Sequence, residues 1–192
     1  MSQILDILGS FITGATIILV VMNLNFQITT SQRENFFSSI SQTEVVNFAN
    51  IFENDIYKIG YQTSTANIIT SADSVAIQFY ADIDNDTTAE QVYYTMGATT
   101  ALAGTTNPND RPVYRRIGTG NTDLIGTAYS MQISYFDSIG NQLQYSALSS
   151  SQSTRNRIKK IGINYVFETP YPVDGKYQRV QWKKFINPRN LN

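Results

Sequence analysis

The residues able to do chemistry in this chain are few. There is neither histidine nor cysteine, so the commonest general base, the commonest metal ligand and all thiolate reactions are missing. Catalysis would fall to a carboxylate pair or a Ser–Lys arrangement. No Gly-rich phosphate loop and no nucleophile elbow accompanies either, and an enzyme is not expected. The one metal-like motif is Asp82-x-Asp84-x-Asp86, with Glu90 eight residues past Asp82. Oxygen ligands at alternate positions open a calcium loop in this way. Thr87, however, stands where such a loop needs glycine, and Tyr93 where it needs a bidentate glutamate. Two readings stand: a polar hairpin turn, or a modest Ca²⁺ site built from Asp82, Asp84, Asp86 and Glu90. No other cofactor is expected.

The cations are gathered late in the chain. A net charge of −1 conceals an asymmetry: residues 1–110 hold 2 Lys/Arg against 11 Asp/Glu, whereas residues 111–192 hold 12 against 4. Such a chain can pair within itself or with copies of itself. Arg155, Arg157 and Lys159 alternate, as on one strand face, and Lys160 follows. With Trp182 and several tyrosines they resemble a polyanion patch. No nucleic-acid motif accompanies them, so nucleic acid is not an expected partner. A solvated face, or one meeting the acidic part of a neighbouring subunit, is the competing reading.

The elements that must carry these residues divide at about residue 60. From Ile7 to Phe26 there is no charge, and a helix of that length spans roughly 30 Å, enough to cross a bilayer core. An ordinary signal anchor is one reading. A signal peptide fits poorly, because no Lys or Arg precedes Arg33. Ser10, Thr13 and Thr16 dilute the apolar run, Gly9 and Gly14 lie inside it, and Asp6 stands at its entrance. A carboxylate at bilayer depth is expensive. These features suit a segment that lies in lipid first and in a helix bundle afterward, with small residues at the contacts. Asp6, Gly9, Gly14, Ile17, Ile18 and Val21 are the expected assembly residues.

With no proline before Pro108, the helix continues. Phe37, Ile40, Phe48, Ile51, Phe52, Ile56 and Ile59 recur at helical spacing and form one apolar stripe. One helix is expected from about Gln3 to Ile59, with Gly60 as its stop and an Asp55–Lys58 pair on its outer face. Residues 1–28 form the apolar part, 29–60 the amphipathic part and 61–192 a β-rich head.

In the head the period falls to two. Val75–Tyr80 and Gln91–Met96 read as a hairpin around the Asp82–Thr88 turn, followed by a short strand at Val113–Ile117. Tyr129–Phe136 and Gln142–Tyr145 flank Asp137–Asn141. Ile158–Phe167 and Lys176–Ile186 flank the turn Thr169–Gly175. Ala98–Asp110 and Ser146–Asn156 read as long loops, the second Ser-rich and a candidate glycan acceptor. Successive hairpins give an α+β fold: a long N-terminal helix on an antiparallel sheet.

The order of several short motifs resembles the type IV pilin superfamily, particularly PilW-like minor pilins and type II secretion pseudopilins. They are Phe52–Tyr61 at the helix end, Phe79–Asp86 with Val92-Tyr93-Tyr94, Val113–Arg116, Ile133–Asp137 with Gly140–Leu143, Arg157–Ile163 and Pro188–Leu191. Family precursors carry a basic leader ending in Gly and a Glu fifth in the apolar run. Neither occurs here, and Asp6 is the nearest acid. The resemblance implies that this carboxylate neutralises a neighbouring subunit's N-terminal amine. It implies a structural subunit of an extracellular pilus-like filament, anchored in the inner membrane before assembly. A minor or tip-priming subunit and an anchored binding module for DNA or a surface are the alternatives.

Overall fold

A computed structural model describes residues 2–102, 105–173 and 175–191. Ala103 and Gly104 of the expected Ala98–Asp110 loop, and Asp174 of the expected Thr169–Gly175 turn, lie outside them. Helix α1 runs unbroken over Ser2–Tyr57, about 84 Å at the standard rise. Nothing in that span breaks it: there is no proline, and the Ser and Thr hydroxyls bond back to carbonyls three or four residues earlier instead of competing with the helix. Ser10 donates to Ile7 O, Thr13 to Gly9 O and Thr16 to Ile12 O. Gly60, at φ +79°, turns the chain out of the helix. A Cβ there would meet Asn190 O at 3.2 Å, so the position favours glycine for space as well as for backbone angle.

The head has two antiparallel sheets where the sequence suggests one. The first is a five-stranded meander in chain order: β1 Ile69–Ala72, β2 Ala76–Ala81, β3 Glu90–Met96, β4 Arg111–Ile117 and β5 Thr122–Ala128. The second joins β6 Ser130–Phe136, β7 Lys160–Glu168 and β8 Arg179–Ile186. Tyr129 N–H donates to Val166 O and Tyr165 Oη to Thr127 O, tying the end of β5 to β7.

Helix α1 lays its second half across both sheets. Val45, Phe48, Phe52, Ile56 and Ile59 are buried at spacings of three and four, and join one cluster with Ile77, Tyr94, Ile133 and Tyr165. Phe48 stacks on Tyr165 at 4.0 Å between centroids, and Phe52 meets Tyr94 edge-on at 5.2 Å. Aromatic pairs of these geometries add roughly 0.5–1.5 kcal/mol each beyond area burial. The expected stripe is therefore correct at Phe48, Phe52, Ile56 and Ile59, Ile51 is only half-buried, and Val45 and Ala49 join the buried face.

Two expectations need correction. Gln142–Tyr145 is not a strand: only a single bridge, Phe136 to Gln142, survives of that hairpin. The Ser-rich stretch is not a loop but two short helices, α2 Tyr145–Ser150 and α3 Gln152–Arg155. They form because Leu148 has a fully buried site and Ser151 caps α3 by accepting from Thr154 N–H. Gln152 Nε2 donates to Ile69 O, so the pair covers the edge of β1.

Candidate functional site

Helix α1 is one element with two environments. In its first part every large apolar side chain is exposed: Ile4, Leu8, Phe11, Ile12 and Leu19 through Val21 touch no part of the head. Ile17, Ile18 and Val21 are 59%, 61% and 57% exposed. A folded soluble surface does not leave so long an apolar run uncovered. The run is long and apolar enough to cross a membrane, with a mean hydropathy of 2.2 over its best window. Gly9 and Gly14 have open space where a Cβ would sit, so a partner's backbone can approach closely at either. Asp6 is exposed and makes no ion pair among the described residues. The expected assembly residues thus share the uncovered part of the molecule, on several sides of the helix.

The second half of α1 is fixed to the head by charge as well as by packing. Asp55 is buried. Its Oδ2 accepts from Arg115 Nε at 2.7 Å and from Tyr94 Oη at 2.5 Å, and its Oδ1 accepts from Arg115 Nη2 at 3.0 Å. Burial, and then the Asp55 carboxylate, hold the Tyr94 phenol well above its ordinary range. This site corrects the expected Asp55–Lys58 pair. Both residues face the head: Lys58 donates to Ile83 O and Asn85 Oδ1. The signal that could have found the true partner is the alternation of β4, which puts Arg115 beside Tyr94 in register on β3. Lys184 Nζ meets Glu53 Oε2 at 2.5 Å, so two acids of the helix are matched by two cations of the later chain.

The acidic turn folds as a hairpin between β2 and β3. Its four carboxylates converge, with one oxygen of each within 4.8 Å of the others. That density of negative oxygens is what a hard cation needs. Each carboxylate already has a backbone task, however. Asp82 accepts from the N–H groups of Asn85, Asp86 and Thr87, Asp84 from Asp86 N–H, Asp86 from Thr88 N–H, and Glu90 from Ile83 N–H. The left-handed φ values of Asn85 and Thr87 fit that tight turn. The turn reading accounts for these contacts, and calcium binding stays a proposal.

The basic cluster does not assemble as one strand face. Arg155 lies in α3, where Nη1 donates to Leu148 O and Nε and Nη2 to Gln152 Oε1, so its fork closes the end of α2. Arg157 pairs with Asp137 at 3.3 Å. Of the four, only Lys160 is in a strand. Burial raises Asp137, but the backbone N–H groups of Asn141 and Ile139, then the Asn141 amide and Arg157, hold it below the usual carboxylate range.

A second carboxylate site was not anticipated. Glu168 accepts from Arg179 Nε at 2.7 Å and from the amides of Asn107 and Asn109, both at 3.1 Å. These contacts pin the 105–110 segment onto β7. Beside it Asp110 is buried, and its Oδ1 has no hydrogen-bond partner. Burial, and then the neighbouring Glu168, push Asp110 up to about 6.

No family model, curated protein or solved structure matches the chain. The architecture therefore stands on its own: a long N-terminal helix, apolar and uncovered at first, packed on antiparallel sheets, and consistent with a pilin-like fold.

Proposed function

We propose that this chain is a structural subunit of an extracellular pilus-like filament, held in a membrane by its N-terminal helix before polymerising through it. One observation carries the reading: the first half of α1 is exposed and apolar while the second half is locked to the head. A plain anchor needs only apolar length. This helix adds open glycines and self-satisfied hydroxyls, which tolerate lipid and still permit close helix contacts. Asp6 is then the group whose burial in a bundle demands a cationic partner from another copy. The head forms the outer shell and performs no chemistry.

The test is to purify the full chain in detergent, withdraw the detergent and image the product by cryo-electron microscopy. A continuous helical polymer with residues 3–28 at its centre is expected. Chains that stay dispersed, or that enter filaments only as single copies among different subunits, would overturn the reading.

A further inference from the structure

The cavity beside Asp110 has a carboxylate oxygen that no group among the described residues satisfies. It is about 560 Å³ and lies between α1, β5 and the segment after β7. Ile40, Leu124, Phe167 and Tyr171 give it apolar walls. Among the described residues its charged lining is Glu44, Asp110 and Glu168, with no Lys or Arg. Glu168 is matched by Arg179, but Glu44 has no ion pair among the described residues. Asp110 is only 5% exposed and is among the residues lining this space, and its buried Oδ1 has no hydrogen-bond partner among the described residues. The negative charge is felt nearby: after burial itself, Glu44 and Asp110 are what raise the Tyr165 phenol.

An open, largely apolar hollow whose lining includes an unmatched carboxylate fits a cation on an aliphatic stem. A metal ion fits badly, since it needs several free oxygens and both Glu168 oxygens are already engaged. A guanidinium fork wants two acceptors in one plane, whereas an ammonium is a compact point charge on a flexible four-carbon stem. The chain carries that group in surplus. Lys159, Lys160, Lys176 and Lys183 make no ion pair among the described residues, and all belong to the basic part of the sequence. The asymmetry between residues 1–110 and 111–192 is only partly resolved inside the molecule, through Asp55–Arg115 and Glu53–Lys184.

We infer that this cavity seats a lysine side chain from a second copy of the chain, locking neighbouring heads in register. The inference rests on the self-assembly proposed above, so the experiment has two independent arms. In the first, n-butylammonium is titrated into the detergent-dispersed full chain and followed by NMR. Shifts at Asp110, Tyr165 and Tyr171 are expected, weakened at least about tenfold in Asp110→Asn, the least effect expected when a charged hydrogen-bond partner is lost. Glu44→Gln, on the exposed helix face, guards against an Asp110 variant that fails to fold and should weaken binding in the same direction. No shift in the wild type, or tighter binding of Ca²⁺ at the same residues, overturns the cavity's assignment even where filaments form.

In the second arm, filaments of mixed ¹⁴N and ¹⁵N chains are treated with a zero-length carbodiimide. A mixed-isotope crosslink from Asp110 or Glu44 to a lysine is expected. Filaments whose carboxylate crosslinks all lie elsewhere overturn the second-copy occupant. A chain that never polymerises, yet binds n-butylammonium, overturns that occupant and the proposed function while leaving the cavity's chemistry intact.

Discussion

The two halves of α1 share a backbone and differ in where their interactions end. From Val45 to Ile59 one apolar face and the acids find partners inside the chain: Phe48 on Tyr165, Asp55 on Arg115 and Glu53 on Lys184. From Gln3 to Ile28 none do. The first half is apolar enough to cross a membrane and the second is not. Their patterns differ as well: one stripe in the second half, apolar side chains all round in the first. A stripe is sized for one neighbour, and an all-round surface calls for lipid or several neighbouring helices.

The sharpest way to break this contrast is at Asp55. Replacing it with Ala removes both bonds to Arg115 and leaves Tyr94 Oη unpaired, and breaking a buried pair from one side costs about 3–5 kcal/mol. Thermal melts of the head should show that loss. Ile18→Asp should do the opposite. It adds roughly 3 kcal/mol to membrane insertion and should abolish assembly, yet leave the head's melting temperature where it was. A destabilised head in Ile18→Asp would mean that the halves are not independent. Asp6→Ala should likewise impair assembly with the head intact, and normal filaments from it would remove Asp6 from the mechanism.

A smaller effect comes from pH. Asp110 is raised from 3.8 to about 6, so its proton favours the folded head. That contribution is complete below the unfolded value near 3.8 and is lost as pH rises through about 6, a span of about 2–3 kcal/mol. Urea melts from pH 4.5 to 7.5 should show stability falling across this window in the wild type and flattened in Asp110→Asn. Glu168 works in the reverse sense: Arg179 and the two Asn amides lower it against its own burial, so its share is lost on acidification. The smallest effect is expected at Arg157. It is 61% exposed, and Arg157→Ala should cost under about 1 kcal/mol. Arg157 makes one 3.3 Å contact from an exposed position, whereas Arg115 makes two bonds to the buried Asp55, and both differences separate the predicted losses.

What could be read in the sequence follows the same division between local and distant causes. Helix α1, the β2–β3 hairpin and the end of the chain announce themselves by period and by turn residues within a few positions. The strands β1 and β5 do not. Ile-Thr-Ser-Ala is too short to show alternation, and β5 puts Asp123 and Gly126 among its apolar residues. The helices α2 and α3 were hidden by serine, whose propensity argues for a loop; a buried Leu148 outweighs it. Asp55 was assigned to Lys58 because they are three apart on a helix. Its actual partner is 60 residues away, and only the sheet register brings it close. The Asp110 cavity had no sequence signal, because a lone Asp at the end of a polar loop looks like any other.

The junction between α1 and the head also sets how the molecule bears load. A pull along the rod reaches the head through Phe48, Phe52, Ile56 and the pairs at Glu53 and Asp55, all within three turns. These contacts lie side by side along the helix, so tension is shared among them and they must slip together. A strand peeled from a sheet edge would release its bonds one at a time. In mechanical terms the helix is riveted to the head, and tension would have to shear that joint as a unit before the two part.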